Sequence, residues 1–290
     1  MTNQLLTPTE IRELASKLDL KPTKKLGQNF VTDQNTVEKI VRTSKVSKDS
    51  IVLEVGPGLG SLTLALLATG AKVFAVEIDQ RLAELLPITA KSKGFSGNQL
   101  EVINKDALEI TTHEVKNPNV LVANLPYNVS VPVIIHILET FPSIENYLVM
   151  VQSEVADRLA ASPGSRTYGS PSVKLQWYGE VSKAGSVSRS VFWPVPNVDS
   201  DLVQITRKKD VDQSIRKELF AVVDAAFSQR RKMLRSALSS MCAGSEKASE
   251  ILESAKIDPQ LRGEALNVDD YVRLTYAMKK SGITINSTRS

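Results

Sequence analysis

The sequence predicts an α/β protein built on a parallel, doubly wound sheet, and three observations carry that expectation. Short apolar runs at 51–55, 72–76, 100–103, 120–123 and 147–151 alternate with stretches of helical periodicity, the order in which βαβ units build a sheet buried on both faces. The first run leads into Gly56-Pro57-Gly58-Leu59-Gly60, a turn whose missing side chains let the backbone come close to a ligand. Glu77 ends the second run 21 residues after Gly56, the spacing at which a carboxylate meets a ribose diol in nucleotide-binding sheets.

Composition narrows the class. With 290 residues, 42% hydrophobic and 23% charged, the chain is long enough for one large domain plus a smaller one and has the balance of a globular protein. No apolar run is long enough to cross a bilayer, and the opening residues lack a basic signal-peptide region, so a cytoplasmic protein is expected. A single cysteine, Cys242, forms no internal disulfide and fits a reducing compartment. Two histidines, His113 and His136, with no cysteine cluster, supply too few ligands for a metal site, and none is expected. The net charge of +4 points toward a polyanionic partner.

Taken in order, Thr7-Pro8-Thr9-Glu10 has the form of a capping box with proline in the first turn, opening a helix to about Leu20 that Lys21-Pro22 ends. A basic segment follows, Lys24-Lys25-Leu26-Gly27-Gln28-Asn29-Phe30-Val31, without periodicity. Val37, Ile40 and Val41 then share a helical face. Helices are expected after the glycine turn, at 80–90 and at 131–140, with Asp106 just beyond the third strand. The fourth strand closes on Asn124-Leu125-Pro126-Tyr127. Pro126 disfavours helix at Leu125, so the chain leaves the strand extended, with the Asn124 amide and a backbone carbonyl able to point the same way. Two acceptors beside an aromatic face match an exocyclic amine on a flat base; the competing reading is an ordinary Asn-Pro turn.

Past Val151, segments 173–178 and 202–206 read as β, so the sheet is expected to finish antiparallel, with 207–210 as a linker. Helices are then expected at 215–227, 230–241, 247–255 and 268–279. The domains are therefore drawn at 1–209 and 210–290. Arg230, Arg231, Lys232 and Arg235 fall on the second of these helices at positions that cannot all share one face, yet leave much of it positive. With Lys24 and Lys25 they are candidate phosphate contacts, against the alternative of a solvated face.

Assembled, these residues resemble the ribosomal small-subunit RNA adenine N6-dimethyltransferases, over almost the whole chain. The resemblance rests on Leu26-Gly27-Gln28-Asn29-Phe30, Glu54-Val55-Gly56-Pro57-Gly58-Leu59-Gly60, Val76-Glu77-Ile78-Asp79, Asp106-Ala107, Asn124-Leu125-Pro126-Tyr127-Asn128, Phe192-x-Pro194-x-Pro196-x-Val198-Asp199-Ser200 and Phe227-Ser228-Gln229-Arg230-Arg231-Lys232. Val31, Val131 and Ser236 depart from the usual pattern without removing a polar group from the expected chemistry. The resemblance implies a seven-stranded, Rossmann-like S-adenosyl-L-methionine methyltransferase domain with a small C-terminal helical domain. It implies cofactor binding by Asn29, Val31, Gly56, Gly58, Glu77, Asp106 and Asn124, and 16S rRNA in the small ribosomal subunit as the partner of a monomer.

By the same resemblance, Asn124, Leu125, Pro126 and Tyr127 serve catalysis, and Phe192 is a candidate for the second face of the target base. Four other readings stay open on residues alone: a DNA adenine methyltransferase, a non-catalytic ribosome-assembly factor, a macrolide-resistance methyltransferase acting on large-subunit RNA, and, more distantly, an NAD oxidoreductase.

Overall fold

The computed structural model describes residues 4–20 and 29–285. They divide into two compact units, Met1–Ala156 with Val181–Arg207, and Asp157–Glu180 with Lys208–Ser290. The second boundary falls close to the expected one at 209. The stretch 157–180, which sequence reading assigns to the first domain, belongs instead with the helical unit.

In the first unit, α1 (Pro8–Lys17) starts at the expected capping box: Thr7 Oγ1 accepts from the Glu10 N–H at 3.3 Å and Glu10 Oε2 accepts from the Thr7 N–H at 2.8 Å. Next come β1 (Phe30–Val31), α2 (Gln34–Ser44), β2 (Ile51–Val55), α3 (Ser61–Ala68), β3 (Lys72–Glu77), α4 (Gln80–Ser92), β4 (Leu100–Asn104), β5 (Val120–Asn124), α5 (Ser130–Thr140) and β6 (Asn146–Gln152). Gly60, at φ +95°, turns the chain into α3 where a Cβ would stand 2.6 Å from Leu86 Cδ1 of α4, so only glycine fits. The chain continues through α6 (Ser153–Leu159), α7 (Ser170–Tyr178), β7 (Gly179–Val187), β8 (Phe192–Trp193) and β9 (Ser200–Arg207).

Among the described residues the main sheet has seven strands in the order β4-β3-β2-β5-β6-β9-β7. Pairings from β4 to β6 are parallel and β9 runs antiparallel to β6, as expected. Because β2 leads outward to β3 on one side while β5 adjoins it on the other, the direction of winding reverses between β2 and β5. In open α/β sheets ligands bind at such a switch point, outside the carboxyl ends of the strands. A separate two-stranded ribbon pairs Phe30 with Trp193 and Val31 with Phe192.

The second unit adds α8 (Arg216–Ser228), α9 (Leu234–Ala237), α10 (Ser245–Ser254) and α11 (Val268–Lys280). Two sequence expectations fail here. Segment 173–178, read as β from its alternation, is helical in α7. Pro171 stands in the first turn and Ser172 Oγ accepts from the Gly169 N–H at 3.0 Å, so the start signal outweighs a period-two pattern. The polar members of the alternation also face inward: Lys174 Nζ meets Asp224 Oδ2 at 2.8 Å and Gln176 Nε2 donates to the Ala161 carbonyl at 2.7 Å. The expected helix at 230–241 is reduced to α9, because the backbone from Gln229 to Met233 forms a turn.

Arg207, read as linker, is the last residue of β9. Its guanidinium donates to the carbonyls of Ile144 (2.9 Å), Leu138 (2.5 Å) and Phe141 (3.3 Å) and to the Tyr147 hydroxyl (2.7 Å). It thereby satisfies carbonyls at the end of α5 that no helical N–H reaches. Lysine has no planar fork to serve these acceptors together, so Arg207→Lys is expected to lower stability by about 2 kcal/mol. A thermal melt indistinguishable from the parent's would show that the fork is dispensable.

Candidate active site

At the switch point the carboxyl ends of β2, β3 and β5 open onto a cavity of about 280 Å³. Asn29, Val31, Gly56, Gly58, Glu77, Asp106, Asn124, Leu125, Pro126 and Tyr127 all line it, so residues spread over 99 positions of sequence converge on one space.

Glu77, 5% exposed, ends β3. Its Oε1 accepts from the Asp79 N–H at 2.9 Å and its Oε2 from the Gly58 N–H at 3.1 Å. Burial pushes this carboxyl above its ordinary value, and those two N–H groups pull it back. Each oxygen keeps a second acceptor site for a ligand hydroxyl. Gly58 achieves its bond at φ +58°, with a Cβ position only 2.9 Å from the Phe30 ring. A side chain there would displace Phe30, which stacks on Trp193 with centroids 6.2 Å apart.

Glu54, on β2, is a second acid in the same cavity and one that sequence reading did not single out as a site residue. It is 1% exposed, and Oε2 has no hydrogen-bond partner; the nearby hydroxyls of Ser61 and Thr63 are likewise buried and unpartnered. Burial pushes its carboxyl up to about 8. Interaction with the Thr63 hydroxyl draws it part way back without completing a hydrogen bond, and the charge of Glu77 raises it further. An acid inside Ile-Val-Leu-Glu-Val was the available signal. Orphaned buried acceptors mark a place built for a donor or a cation.

Asn124, at the end of β5, donates from Nδ2 to the Asn29 carbonyl at 3.1 Å, which fixes the amide orientation and leaves Oδ1 as the acceptor. Tyr127 is held at its far end by Ser200, hydroxyl to hydroxyl at 2.8 Å. Ser200, the last residue of the Phe192–Ser200 motif, is fully buried at the start of β9, and the motif does not announce its bond to Tyr127. Asp106 accepts from the Leu108 N–H at 2.9 Å through Oδ1. Phe192 is 2% exposed and does not line the cavity, so the expectation that its ring faces a bound base is not met; its place in β8 is in the core.

Lys24 and Lys25 lie outside the described residues. Arg230, Arg231, Lys232 and Arg235 belong to the second unit. Contrary to expectation, Arg230 to Lys232 occupy the turn before α9. Arg230 is engaged internally, with Nε 3.0 Å from Glu264 Oε2 and Nη2 on the Arg166 carbonyl. Arg231, Lys232 and Arg235 are exposed. Among the described residues no group of three or more metal-ligating side chains occurs, and no helix is long and apolar enough to cross a membrane.

A family model described as ribosomal RNA adenine dimethylase matches residues 20–280. The chain is similar to the Ribosomal RNA small subunit methyltransferase A of Corynebacterium efficiens, 57% identical over 277 residues covering 93% of this chain and 96% of the relative. It is 55% identical over 278 residues to the protein of the same name from Corynebacterium diphtheriae, covering 93% and 94%. Among solved structures, a dimethyladenosine transferase from Plasmodium falciparum superposes with a TM-score of 0.76 at 26% identity, over 88% of this chain and 98% of that one.

The state of Glu54 has a measurable consequence. An unfolded chain ionises this carboxyl near 4.5, whereas the folded ligand-free protein holds its proton to about 8. Between those values folding takes up a proton, so the contribution of Glu54 to stability falls as pH rises from about 5 to about 8 and is least favourable above that. Glu54→Gln is expected to flatten the pH dependence of the melting temperature over this window and to melt higher than the parent at pH 9. Parallel pH profiles for the two proteins would remove the buried proton.

Proposed function

The chain belongs to the ribosomal RNA adenine dimethylase family and is an S-adenosylmethionine-dependent methyltransferase, and from that premise we propose that it dimethylates N6 of two adjacent adenosines near the 3′ end of 16S rRNA in the small ribosomal subunit. The observation that supports the assignment of roles is the Asn124–Asn29 hydrogen bond, which leaves Oδ1 as the acceptor of an amide that lines the same cavity as Tyr127.

The residues present fit the cofactor. Glu77 has two acceptor sites left for the ribose hydroxyls, and Asp106 has an oxygen for the adenine amine. The orphaned Glu54 oxygen and the glycine turn suit the methionine end with its ammonium. Bound there, the cofactor supplies a sulfonium methyl group of high electrophilicity.

The remaining work falls to this chain. Adenine N6 is a poor nucleophile because its lone pair is delocalised into the ring. Asn124 Oδ1 and the Leu125 carbonyl, accepting from the two N–H bonds, favour the pyramidal amine in which that pair is free. Proton loss from the methylated nitrogen needs no strong base, since the cation is acidic enough to release its proton to water. Tyr127 offers a stacking face of about 1–3 kcal/mol to a base that has left its own stack, and the Ser200 bond holds the far end of its side chain. Positioning is the dominant contribution, of the kind worth up to about 7–11 kcal/mol in favourable intramolecular cases. In the second unit, Arg231, Lys232 and Arg235 contact phosphates, while Arg230 keeps the turn in shape.

Incubation with labelled S-adenosylmethionine and unmethylated small subunits, followed by mapping of the modified bases, tests the reading directly; label on large-subunit RNA or on DNA alone would overturn it. At saturating cofactor, Asn124→Ala is expected to lower the single-turnover rate about a hundredfold with RNA affinity nearly intact. Tyr127→Ala should lose activity, whereas Tyr127→Phe keeps the ring and most of the rate. A parent-like rate in Asn124→Ala would reduce the segment to a turn.

The basic residues separate by a different measurement. Arg231→Gln, Lys232→Gln and Arg235→Gln should each lower the salt slope of RNA binding by about 0.7 to 0.9. Arg230→Gln should instead lower the melting temperature. Equal salt slopes in the first three variants and the parent would return those side chains to a solvated surface.

A further inference from the structure

The segment 194–199 is tied to the cavity wall at both ends. At one end Trp193 pairs with Phe30 across the β1–β8 ribbon, and Phe30 lines the cavity. At the other, Ser200 is bonded to Tyr127, which also lines it. Seven residue steps separate Trp193 from Ser200, at most about 25 Å of chain, so the segment cannot stray far from those two anchors.

The segment is also braced. Pro194 and Pro196 fix φ. The Arg189 N–H donates to Asp199 Oδ1 at 2.8 Å, Arg189 Nη1 donates to the Asn197 carbonyl at 3.0 Å, and the Ser153 N–H donates to the Asp199 carbonyl at 3.0 Å. Yet the braced segment holds Val195 61% exposed and Val198 43% exposed, although neither lines the cavity. A loop held in shape while presenting branched apolar side chains to water beside a binding cavity is a contact surface.

We propose that segment 194–199 is a lip that grips the rRNA strand next to the target adenosine, with Val195 and Val198 set against the bases that flank it. The proposal rests on the reading of the cavity as an adenine site. When a nucleotide is splayed out of a strand, its neighbours lose a stacking partner, and apolar side chains placed in the gap replace it. Arg189, exposed at the base of the lip, uses one of its donors on Asn197 and retains others for the phosphate between those nucleotides. RNA is favoured over a protein partner because both anchors of the lip are joined to residues, Phe30 and Tyr127, that line the cavity that would receive the base.

The test uses the full chain and unmethylated small subunits. The double variant Val195→Ser with Val198→Ser is expected to raise KM for subunits about tenfold, the loss of stacking contacts to the flanking bases, while calorimetric affinity for S-adenosylhomocysteine stays at the parent's value. A benzophenone amino acid in place of Val195 is expected to crosslink to nucleotides within about three positions of the modified adenosines, a reach set by extended-chain dimensions. An unchanged KM, or crosslinks confined to distant RNA, overturns the lip while the parent still methylates. Failure of the parent itself to methylate small subunits overturns the underlying function instead. If the double variant does not fold, the crosslink decides alone.

Discussion

A carboxylate held out of water persists only where donors are aimed at it, and Glu77 sets that requirement for the whole ligand-binding end of the sheet. Its two donors come from opposite directions. Gly58 supplies one from the turn after β2, in a backbone conformation that favours glycine. Asp79 supplies the other and, with the same residue's side chain, caps α4 by accepting from the Arg81 N–H. The first βαβ unit is therefore locked at one charged atom pair, and the parallel register that sets Val55 beside Val76 brings both donors within reach.

Glu54 shows the opposite arrangement a few residues away. No N–H is aimed at its Oε2, and the result is a group that prefers to stay neutral. Two of the cavity's acids thus have different standing: one is preorganised before any ligand arrives, the other is left to be completed by the ligand. Asn124 belongs with the first kind, its amide oriented by the Asn29 carbonyl in advance.

Much of this was legible in the sequence because local chemistry determined it. The strand at 120–123 announces itself by an apolar run and the turn after it by Pro126, and the Gly56–Glu77 interval follows from the length of one βαβ unit. What stayed hidden depended on partners far along the chain. Ser200 closes a motif, but its partner shows only when Tyr127, 73 positions earlier, reaches it, and Arg207 reads as linker until the end of α5 arrives beside it. Segment 173–178 misled because both members of its alternation are satisfied inside the helical unit, so period two carried no information about which side met water. The base-facing role of Phe192 comes from the resemblance alone, whereas its local context, an aromatic before a Pro-rich turn, fits the core position it takes.

The helical unit is assembled from two separated pieces of chain, and this governs the order in which the protein can be completed on the ribosome. Residues 157–180 emerge first and cannot finish their contacts: Ser170 and Lys174 wait for Asp224, Tyr168 for Phe227, and Trp177 for Phe220. Meanwhile β9, which closes on β6, is synthesised between the two pieces. The sheet can therefore mature while the first piece stays unsatisfied, and the unit bearing Arg231 and Lys232 becomes whole only when nearly the entire chain is free. A fragment cut at residue 209 would divide a polar network rather than a linker. Surfaces of the two units come into existence at different moments of synthesis, the cavity before the basic turn.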